Sequence, residues 1–231
     1  MKKLVMIAAL MVAAVSAKAQ YEPGTFSIQP KVGFTVTNLS NMPDLNVSKT
    51  TTLDNMVTAG AIAGVDAEYQ VIPQLGLSVG VNYSMQGSGW EDYELKGSDG
   101  SMKLSDAKIE LGYINIPIVA NVYLFKGFAL KSGVQFGFLT NAKEKYTIEE
   151  HYESGSVKSN AKTEVDEDIK SGCEKMDLSI PIGASYEFNN HLVLDARYNL
   201  GLKKVFKETG YNGKDSKNGV FLLTLGYKIG L

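Results

Sequence analysis

Few side chains in this sequence could support catalysis or hold a metal. The candidates are two histidines, a single cysteine and a run of acidic residues. His151 with Ser154 or Ser156 would supply the base and the nucleophile of a hydrolase or an acyltransferase. The strand pattern described below places His191 at the opposite end of the molecule, so the two histidines cannot share a site. Because histidine and serine are common in polar loops, we interpret His151 as a loop residue and predict that the protein is not an enzyme.

The acidic run consists of Glu164, Asp166, Glu167 and Asp168, whose oxygens could bind a divalent cation. It lacks the regular spacing and the glycine of an EF-hand loop, so we interpret it as a solvated charged segment or a contact to lipopolysaccharide through bridging cations. Cys173 has no second cysteine for a disulfide and no zinc-ligand set around it. The sequence therefore predicts no resident metal and no cofactor.

The composition indicates a folded chain without a membrane-spanning helix. Of the 231 residues, 44% are hydrophobic, 21% are charged and 23 are glycine, which excludes a disordered chain. After the first twenty positions, no apolar run approaches the about 18 residues that a membrane-spanning helix needs. A net charge of −2 argues against a nucleic-acid partner, because such proteins carry basic patches. By composition alone, the chain is typical of an ordinary soluble domain.

The N-terminus has the order of a secretory signal peptide. Two lysines precede an apolar run over 4–17, and Ala17-Lys18-Ala19 matches the small-residue cleavage site. The apolar run is too short to span a membrane as an uncleaved anchor. The sequence therefore predicts a signal peptide over 1–19 and an exported mature chain over 20–231.

Behind this segment, apolar and polar residues alternate with the period of two that is typical of β-strands. In the first segment, Phe26, Ile28, Val32 and Phe34 fall on one face and polar residues fall on the other. No amphipathic helix of convincing length intervenes. Eight alternating segments follow one another, at about 26–37, 57–70, 75–87, 109–124, 128–140, 176–188, 191–203 and 219–231.

The connections between these segments alternate in length. Three are short turns with Pro, Gly or Asn, at 71–74, 126–127 and 189–190, and four are long and polar, at about 38–56, 88–108, 141–175 and 204–218. Short turns at one end, long loops at the other and an even strand number are typical of an outer-membrane β-barrel. We therefore predict an all-β fold: an eight-stranded antiparallel up-and-down transmembrane β-barrel with short periplasmic turns and long extracellular loops.

The distribution of charge indicates which strand face meets lipid. Fifty alternate strand positions carry no charged side chain, whereas the interleaved face carries glycines and ten charges of balanced sign. A soluble barrel would have to enclose those fifty side chains, which would overfill an eight-stranded interior. In a membrane the faces invert, because a Lys or Arg at the bilayer midplane costs roughly 2–4 kcal/mol. The charges that we predict to pair inside the lumen are Lys31, Asp66, Glu68, Lys131, Asp177, Glu187, Asp195, Arg197, Lys203 and Lys228.

Eight strands form a small closed barrel whose interior is just wide enough for side chains to fill it. We therefore predict a single barrel domain over 20–231, with a packed polar lumen and no open pore. The alternative is a soluble ligand-binding barrel, which would be recovered from the periplasm.

The long segment 141–175 also contains an alternating pattern. Tyr146, Ile148 and Tyr152 alternate roughly with polar residues, and Ser154-Gly155-Ser156 is a turn signal before a second alternating stretch. We predict that strands five and six continue past the membrane as a protruding hairpin. An exposed strand edge there could recruit a partner by strand addition.

Four motifs resemble the small outer-membrane β-barrel domain proteins of Bacteroidetes, sometimes called the PorT family. They are Tyr113-Ile114-Asn115-Ile116-Pro117-Ile118, the segment from Asp177 to Phe188, Ala196-Arg197-Tyr198-Asn199-Leu200-Gly201-Leu202 and Leu225-Gly226-Tyr227-Lys228. The resemblance covers roughly 25–231 and implies the barrel fold. It also implies a role as an accessory of protein secretion or transport across the outer membrane, although fold alone does not decide function.

The last residues resemble the C-terminal assembly signal of such barrels. Thr224, Gly226, Ile229 and Leu231 match its polar, glycine, hydrophobic and hydrophobic positions, although a terminal Phe is more typical than Leu231. The resemblance implies the barrel-assembly machinery as a partner.

The sequence favours a structural or interaction module that presents surface loops. A secretion or transport accessory is the second hypothesis, and a lipid-modifying or proteolytic enzyme is the third. The expected partners are outer-membrane lipid and lipopolysaccharide, the barrel-assembly machinery and an extracellular or secretion-system protein.

Overall fold

A computed structural model describes residues 22–42, 45–46, 52–98, 100–154, 157–207 and 214–231. The predicted signal peptide over 1–19 lies outside these residues. Eight long strands form the wall of the molecule in the described part of the chain. They are β1 (Phe26–Ser40), β2 (Thr58–Ile72), β3 (Leu75–Trp90), β4 (Gly100–Phe125), β5 (Phe128–Ser154), β6 (Met176–Glu187), β7 (Leu192–Gly201) and β8 (Lys217–Tyr227).

The eight strands close into a ring. Each strand pairs antiparallel with its neighbour in sequence, and β8 returns to pair with β1, where Val32 lies opposite Leu225. The short strand Ile229–Gly230 extends this seam by pairing with Ser27 and Ile28. Closure gives the backbone N–H and C=O groups of the first and last strands a partner, which strands in lipid require. The predicted eight-stranded antiparallel up-and-down barrel is confirmed.

Burial alternates along the strands with the predicted parity. On β1, Lys31 is 4% exposed and its neighbour Val32 is 62% exposed. The same contrast separates Asp66 from Val65 on β2 and Asn82 from Val81 on β3. The outer wall is therefore apolar and the interior is polar, the arrangement opposite to that of a soluble barrel.

The two ends of the barrel differ as the sequence predicts. Short turns join the strands at one end, at Pro73–Gln74, Lys126–Gly127 and Asn189–Asn190. Gly127 and His191 adopt positive φ angles of 79° and 64° there, which reverse the chain within a few residues. Both ends of the barrel segment, near Phe26 and Leu231, lie on this short-turn side.

At the opposite end the wall continues into a four-stranded projection. β4 and β5 extend past the barrel and pair with each other, Tyr93–Gly97 pairs with the start of β4, and Val157–Asp168 pairs with the end of β5. The segments 88–108 and 141–175, which we predicted to be long loops, are therefore mostly strand. Both segments alternate, as at Tyr93, Leu95, Met102 and Leu104, but their many charged residues are equally typical of solvent-exposed loops.

The predicted extension of strands five and six is right for β5 and wrong for β6. The strand that returns beside β5 ends at Asp168, and a 3-10 turn over Lys170–Gly172 separates it from β6. The fourth strand, which we did not expect to extend, supplies the other central strand of the projection.

Apolar side chains fill the barrel where it meets the projection. They come from the end of β1, from the middle of β4 and β5, and from the segments before β6 and after β7. The buried members of this apolar cap are Leu39, Ile109, Leu111, Tyr113, Leu139, Ala142, Cys173 and Val205. The interior is thus polar along the membrane-spanning part and apolar at the long-loop end.

Candidate functional site

A group of five charged side chains occupies the middle of the lumen. Lys31 Nζ lies 2.5 Å from Asp66 Oδ2, and Lys131 Nζ lies 2.5 Å from Asp195 Oδ2. Arg197 joins the two pairs, with Nε 2.6 Å from Asp195 Oδ1 and Nη2 3.3 Å from Asp66 Oδ2. All five side chains are buried. Three cations thus share two carboxylates, and every charge has a partner of opposite sign.

A second group lies toward the short-turn end. Lys228 Nζ is 2.9 Å from Glu68 Oε1 and 3.7 Å from Glu187 Oε2. The Tyr123 hydroxyl donates to Glu68 Oε1 at 2.5 Å, and Lys228 Nζ donates to the same hydroxyl oxygen at 3.0 Å. Asn121 Nδ2 also donates to Glu68, at 2.5 Å. Glu68 therefore collects three donors on one carboxylate.

Amides and hydroxyls fill the lumen on the other side of the central charges. Asn115 Nδ2 donates to Asn82 Oδ1 at 3.1 Å and to Ser84 Oγ at 2.9 Å. Asn199 Nδ2 donates to Gln135 Oε1 at 3.3 Å. Sequence reasoning missed this layer because it followed charges only, although these residues occupy the same interleaved positions.

Two of the predicted lumen charges stand apart from both ion-pair groups. Asp177 accepts a hydrogen bond from Asn218 Nδ2 at 3.2 Å and forms no ion pair with another described residue. Lys203 is half-buried and likewise forms no ion pair in the described part of the chain. β7 ends at Gly201, so Lys203 lies beyond the ladder that would direct its side chain into the lumen.

The four residues of the predicted assembly signal divide between the two faces. Thr224 is buried on the lumen side, and Gly226 packs against the Gln29 side chain. Ile229 and Leu231 are exposed on the outer wall at the short-turn end. The backbone N–H of Leu231 donates to the carbonyl of Phe26 at 2.8 Å.

The two histidines lie at opposite ends of the molecule. His151 lies on the projection, where Nδ1 contacts Asn160 Oδ1. His191 lies at a short turn, with Nδ1 3.4 Å from Glu187 Oε1. The side chains of Ser154 and Ser156 lie outside the described residues.

Cys173 lies in the apolar cap and is fully buried. Its Sγ donates to the carbonyl oxygen of Ile169 at 3.4 Å. Burial raises the pKa of this thiol to about 11, partly offset by Lys207, so the thiol is protonated at neutral pH.

The acidic run makes local contacts. Asp166 Oδ1 is 2.9 Å from Lys143 Nζ, Glu164 Oε1 is 3.0 Å from Lys162 Nζ, and Asp168 Oδ1 accepts the backbone N–H of Lys170 at 2.8 Å. Within the described ranges, no three His, Cys, Asp or Glu side chains come together in a way that could hold a metal ion.

An ion-pair row, which comprises Glu110, Lys145, Asp166 and Lys143, lies on the outer face at the base of the projection. Lys145 Nζ is 2.7 Å from Glu110 Oε2, and this hydrogen bond raises the pKa of Lys145. The hydrogen bond from Lys143 lowers the pKa of the Asp166 carboxyl. Alternating charges thus tie β4 and β5 to the returning strand.

No helix of the described chain is long and apolar enough to cross a membrane. The exposed apolar wall, the closed ladder and the charged interior instead define a small transmembrane β-barrel. A family described as "Outer membrane protein beta-barrel domain" matches residues 18–207. The chain belongs to this family, and we accordingly describe it as an outer-membrane β-barrel protein.

Solved outer-membrane barrels resemble the chain over nearly its whole length. The attachment invasion locus protein Ail of Yersinia pestis, solved with the heparin analogue sucrose octasulfate, is 14% identical with a TM-score of 0.44, covering 90% of this chain and 100% of Ail. AlkL in lipid bilayers is 14% identical with a TM-score of 0.43, covering 94% of each chain. Neisserial surface protein A is 13% identical with a TM-score of 0.41, covering 88% of this chain and 97% of the other. No curated protein matches the sequence.

Proposed function

We propose that this protein is a closed barrel that anchors a rigid β-sheet projection outside the membrane as a binding surface for a protein partner. The observation that carries the proposal is the continuity of the projection with the wall. β4 and β5 run without interruption from the short-turn end into the projection. The barrel holds such a sheet in one conformation before a partner binds. A flexible loop would lose conformational entropy on binding, which lowers the affinity.

The long edge of the projection supports a partner that binds by strand addition. Val157–Asp168 pairs with β5 on one side. It is the edge strand of the sheet in the described part of the chain. No other described strand pairs with its outer row of backbone N–H and C=O groups, so an extended peptide can extend the sheet there.

The two faces of the projection differ in chemistry. One face carries a row of alternating charge on four neighbouring strands. Its members are Glu94, Lys103, Glu149 and Lys162. The other face carries apolar residues, of which Leu95 is 50% exposed. A partner strand with alternating apolar and charged residues would match both faces.

The filled interior supports a role without a conducting channel. The central ion pairs, the amide layer and the apolar cap follow one another along the barrel. We expect the purified protein to give no steady conductance steps in planar bilayers. Regular open-channel steps would contradict the closed lumen.

Site-specific photocrosslinking in intact cells tests the binding surface. A photoreactive residue in place of Thr163, on the exposed edge strand, should give a protein adduct of one defined mass. The same group in place of Val134, on the outer wall of the barrel, should give no protein adduct of that mass. An edge position that gives no discrete adduct, or gives the same one as Val134, would overturn the proposal.

The narrower assignment to the PorT-like barrels of Bacteroidetes rests on the four sequence motifs and is also a proposal. It would make the partner a component of protein secretion or transport, and the secreted proteins of a deletion strain would test it. We propose no catalytic role, since His151 and His191 occupy opposite ends of the molecule. N-terminal sequencing of the mature protein, expected to begin at Gln20, tests the signal peptide.

A further inference from the structure

One face of the projection continues the apolar cap of the barrel. Alternate residues of a strand point to the same side, and Ala142 of β5 belongs to the buried cap. Tyr146, Ile148 and Tyr152 lie an even number of positions further along the same regular ladder, so their side chains share that side. We call this side of the projection, with the residues beside it in register on the neighbouring strands, the cap-side face.

Apolar side chains spread across the cap-side face in neighbouring rows. Register places Tyr93 beside Leu104 and Leu104 beside Ile148 in one row, and Leu95 beside Met102 in the next. Leu95 is 50% exposed and Met102 is 36% exposed. Exposed apolar side chains that lie together outside the membrane band are typical of a surface that binds another molecule.

The charged residues of the cap-side face are all acidic in the described part of the chain. They are Glu144, Glu150 and Glu167. Glu144 and Glu167 lie directly opposite each other on paired strands, and none of the three forms an ion pair with a described residue. Like charges directly opposite each other destabilise a sheet, so a cation that bound between them would stabilise this one.

On the opposite face, cations already compensate the carboxylates. Lys143 Nζ lies 2.9 Å from Asp166 Oδ1, and Lys162 Nζ lies 3.7 Å from Glu149 Oε1. The two faces therefore differ in the partner that they favour. A molecule that matches the cap-side face brings positive charge together with an apolar surface.

The spacing of the carboxylates indicates the length of that molecule. Glu150 lies six residues beyond Glu144 on β5, a distance of about 20 Å at about 3.3 Å per residue. Tyr146 and Ile148 lie between them on the same face. An α-helix covers about 20 Å in about 13 residues, and a helix packed on a sheet face is a stable arrangement of layers.

We propose that the cap-side face binds an amphipathic helix of a protein partner, with an apolar stripe and with Lys or Arg near both ends. The stripe covers Leu104 and Ile148, and the basic residues reach Glu150 at one end and the Glu144–Glu167 pair at the other. Binding there rests on the proposed function, in which the projection is an exposed binding surface. It uses a face of the sheet, whereas strand addition uses the edge.

Fluorescence anisotropy with two labelled peptides tests this surface. The folded full-length protein is held in nanodiscs of phosphatidylcholine, and empty nanodiscs give the baseline for binding to lipid. Both peptides are helices of about 17 residues with one leucine stripe and glutamines elsewhere, and they carry either lysines or glutamates at both ends. We expect saturable binding of the lysine peptide, at least about tenfold tighter than that of the glutamate peptide.

Two matched pairs of variants connect the binding to the cap-side face. Leu95→Arg should weaken binding of the lysine peptide at least about tenfold, while Ser101→Arg on the opposite face should stay within about twofold. Glu150→Lys should weaken it about five- to tenfold, while Glu149→Lys, the neighbouring residue on the opposite face, should stay within about twofold. A gel-shift assay of heat modifiability checks that each barrel is folded.

Equal binding of the two peptides, or no saturable binding of either, would overturn the proposal. Equal effects of Glu149→Lys and Glu150→Lys would also overturn it, because the charge of the whole projection and not this face would then attract the peptide. The edge is tested separately by the crosslinking at Thr163. A Thr163 adduct in cells without peptide binding would leave the proposed function standing, and peptide binding without that adduct would do the reverse.

Discussion

Arg197 on β7 donates across the lumen to Asp66 on β2, with 3.3 Å between Nη2 and Oδ2. β8 and β1 separate these strands in the ring, so the contact spans the lumen between strands that are three positions apart. The same guanidinium holds Asp195 on its own strand. The charges of the lumen therefore brace the barrel from within, in addition to the ladder around its circumference.

Replacing Arg197 with Leu should lower the stability of the folded barrel. The substitution removes the guanidinium hydrogen bonds to Asp66 and Asp195 but leaves each carboxylate its lysine, so we expect a loss of about 1.5–3 kcal/mol. The midpoint of urea unfolding in lipid vesicles measures the loss. Lys203→Leu is the matched control, because Lys203 forms no ion pair with a described residue and should shift the midpoint little. Equal midpoints for both variants would refute the bracing role.

A positive charge on the outer wall should destabilise the inserted barrel. Val79 and Leu95 are each 50% exposed, the first on the apolar wall and the second on the projection. Val79→Arg should cost about 2–4 kcal/mol if it meets the bilayer core, while Leu95→Arg should be close to neutral. Unfolding in vesicles checks the difference, and a similar cost for both would argue against the membrane band.

A side chain at Gly80 should disturb the central ion pairs. A Cβ built on this lumen-facing glycine would collide with the Asp66 carboxylate. We expect Gly80→Val to lower the free energy of unfolding by about 1–3 kcal/mol, the usual cost of overpacking. Val81→Ile, on the exposed face next to it, should leave the unfolding midpoint nearly unchanged. An unaffected Gly80→Val variant would show that the lumen is loosely packed.

Cys173 should be unreactive in the folded protein. Burial raises the pKa of its thiol to about 11, so the reactive thiolate is scarce at pH 7. A maleimide should label the folded barrel slowly and label the heat-denatured chain completely. Rapid stoichiometric labelling before denaturation would contradict the closed apolar cap.

The base of the projection should loosen in acid. The hydrogen bond from Lys143 lowers the pKa of the Asp166 carboxyl. Such a group stabilises the fold above its ordinary pKa of about 4, and the contribution is lost as the pH falls through the folded value. Amide exchange of 143–154 and 157–168, corrected for its intrinsic pH dependence, should show protection falling as the pH drops below about 4. Asp166→Asn should show the lower protection already at pH 6, while β6 stays protected in both proteins.

The alternation of residues by itself determined the barrel and its inverted faces. A period of two is a local property, because successive side chains of any strand point to opposite sides. Placing Lys31 inside and Val32 outside therefore needed no knowledge of the partner strands. The prediction of a loop was wrong at 88–108, where Leu95, Met102 and Leu104 do alternate with polar residues but the high charge favoured a loop.

Only the tertiary structure decided which charges meet and where the wall is interrupted. Arg197 reaches Asp66 because ring closure and register bring β7 and β2 to face the same part of the lumen, and their separation along the chain does not encode that distance. Register also decides that Asp177 accepts a hydrogen bond from the Asn218 amide. Lys203 lies past the end of β7, where the ladder no longer directs its side chain. The ladder between β2 and β3 stops where Ile62 lies opposite Ser84 and resumes where Met56 lies opposite Gly89, and such pairing depends on contacts between distant segments.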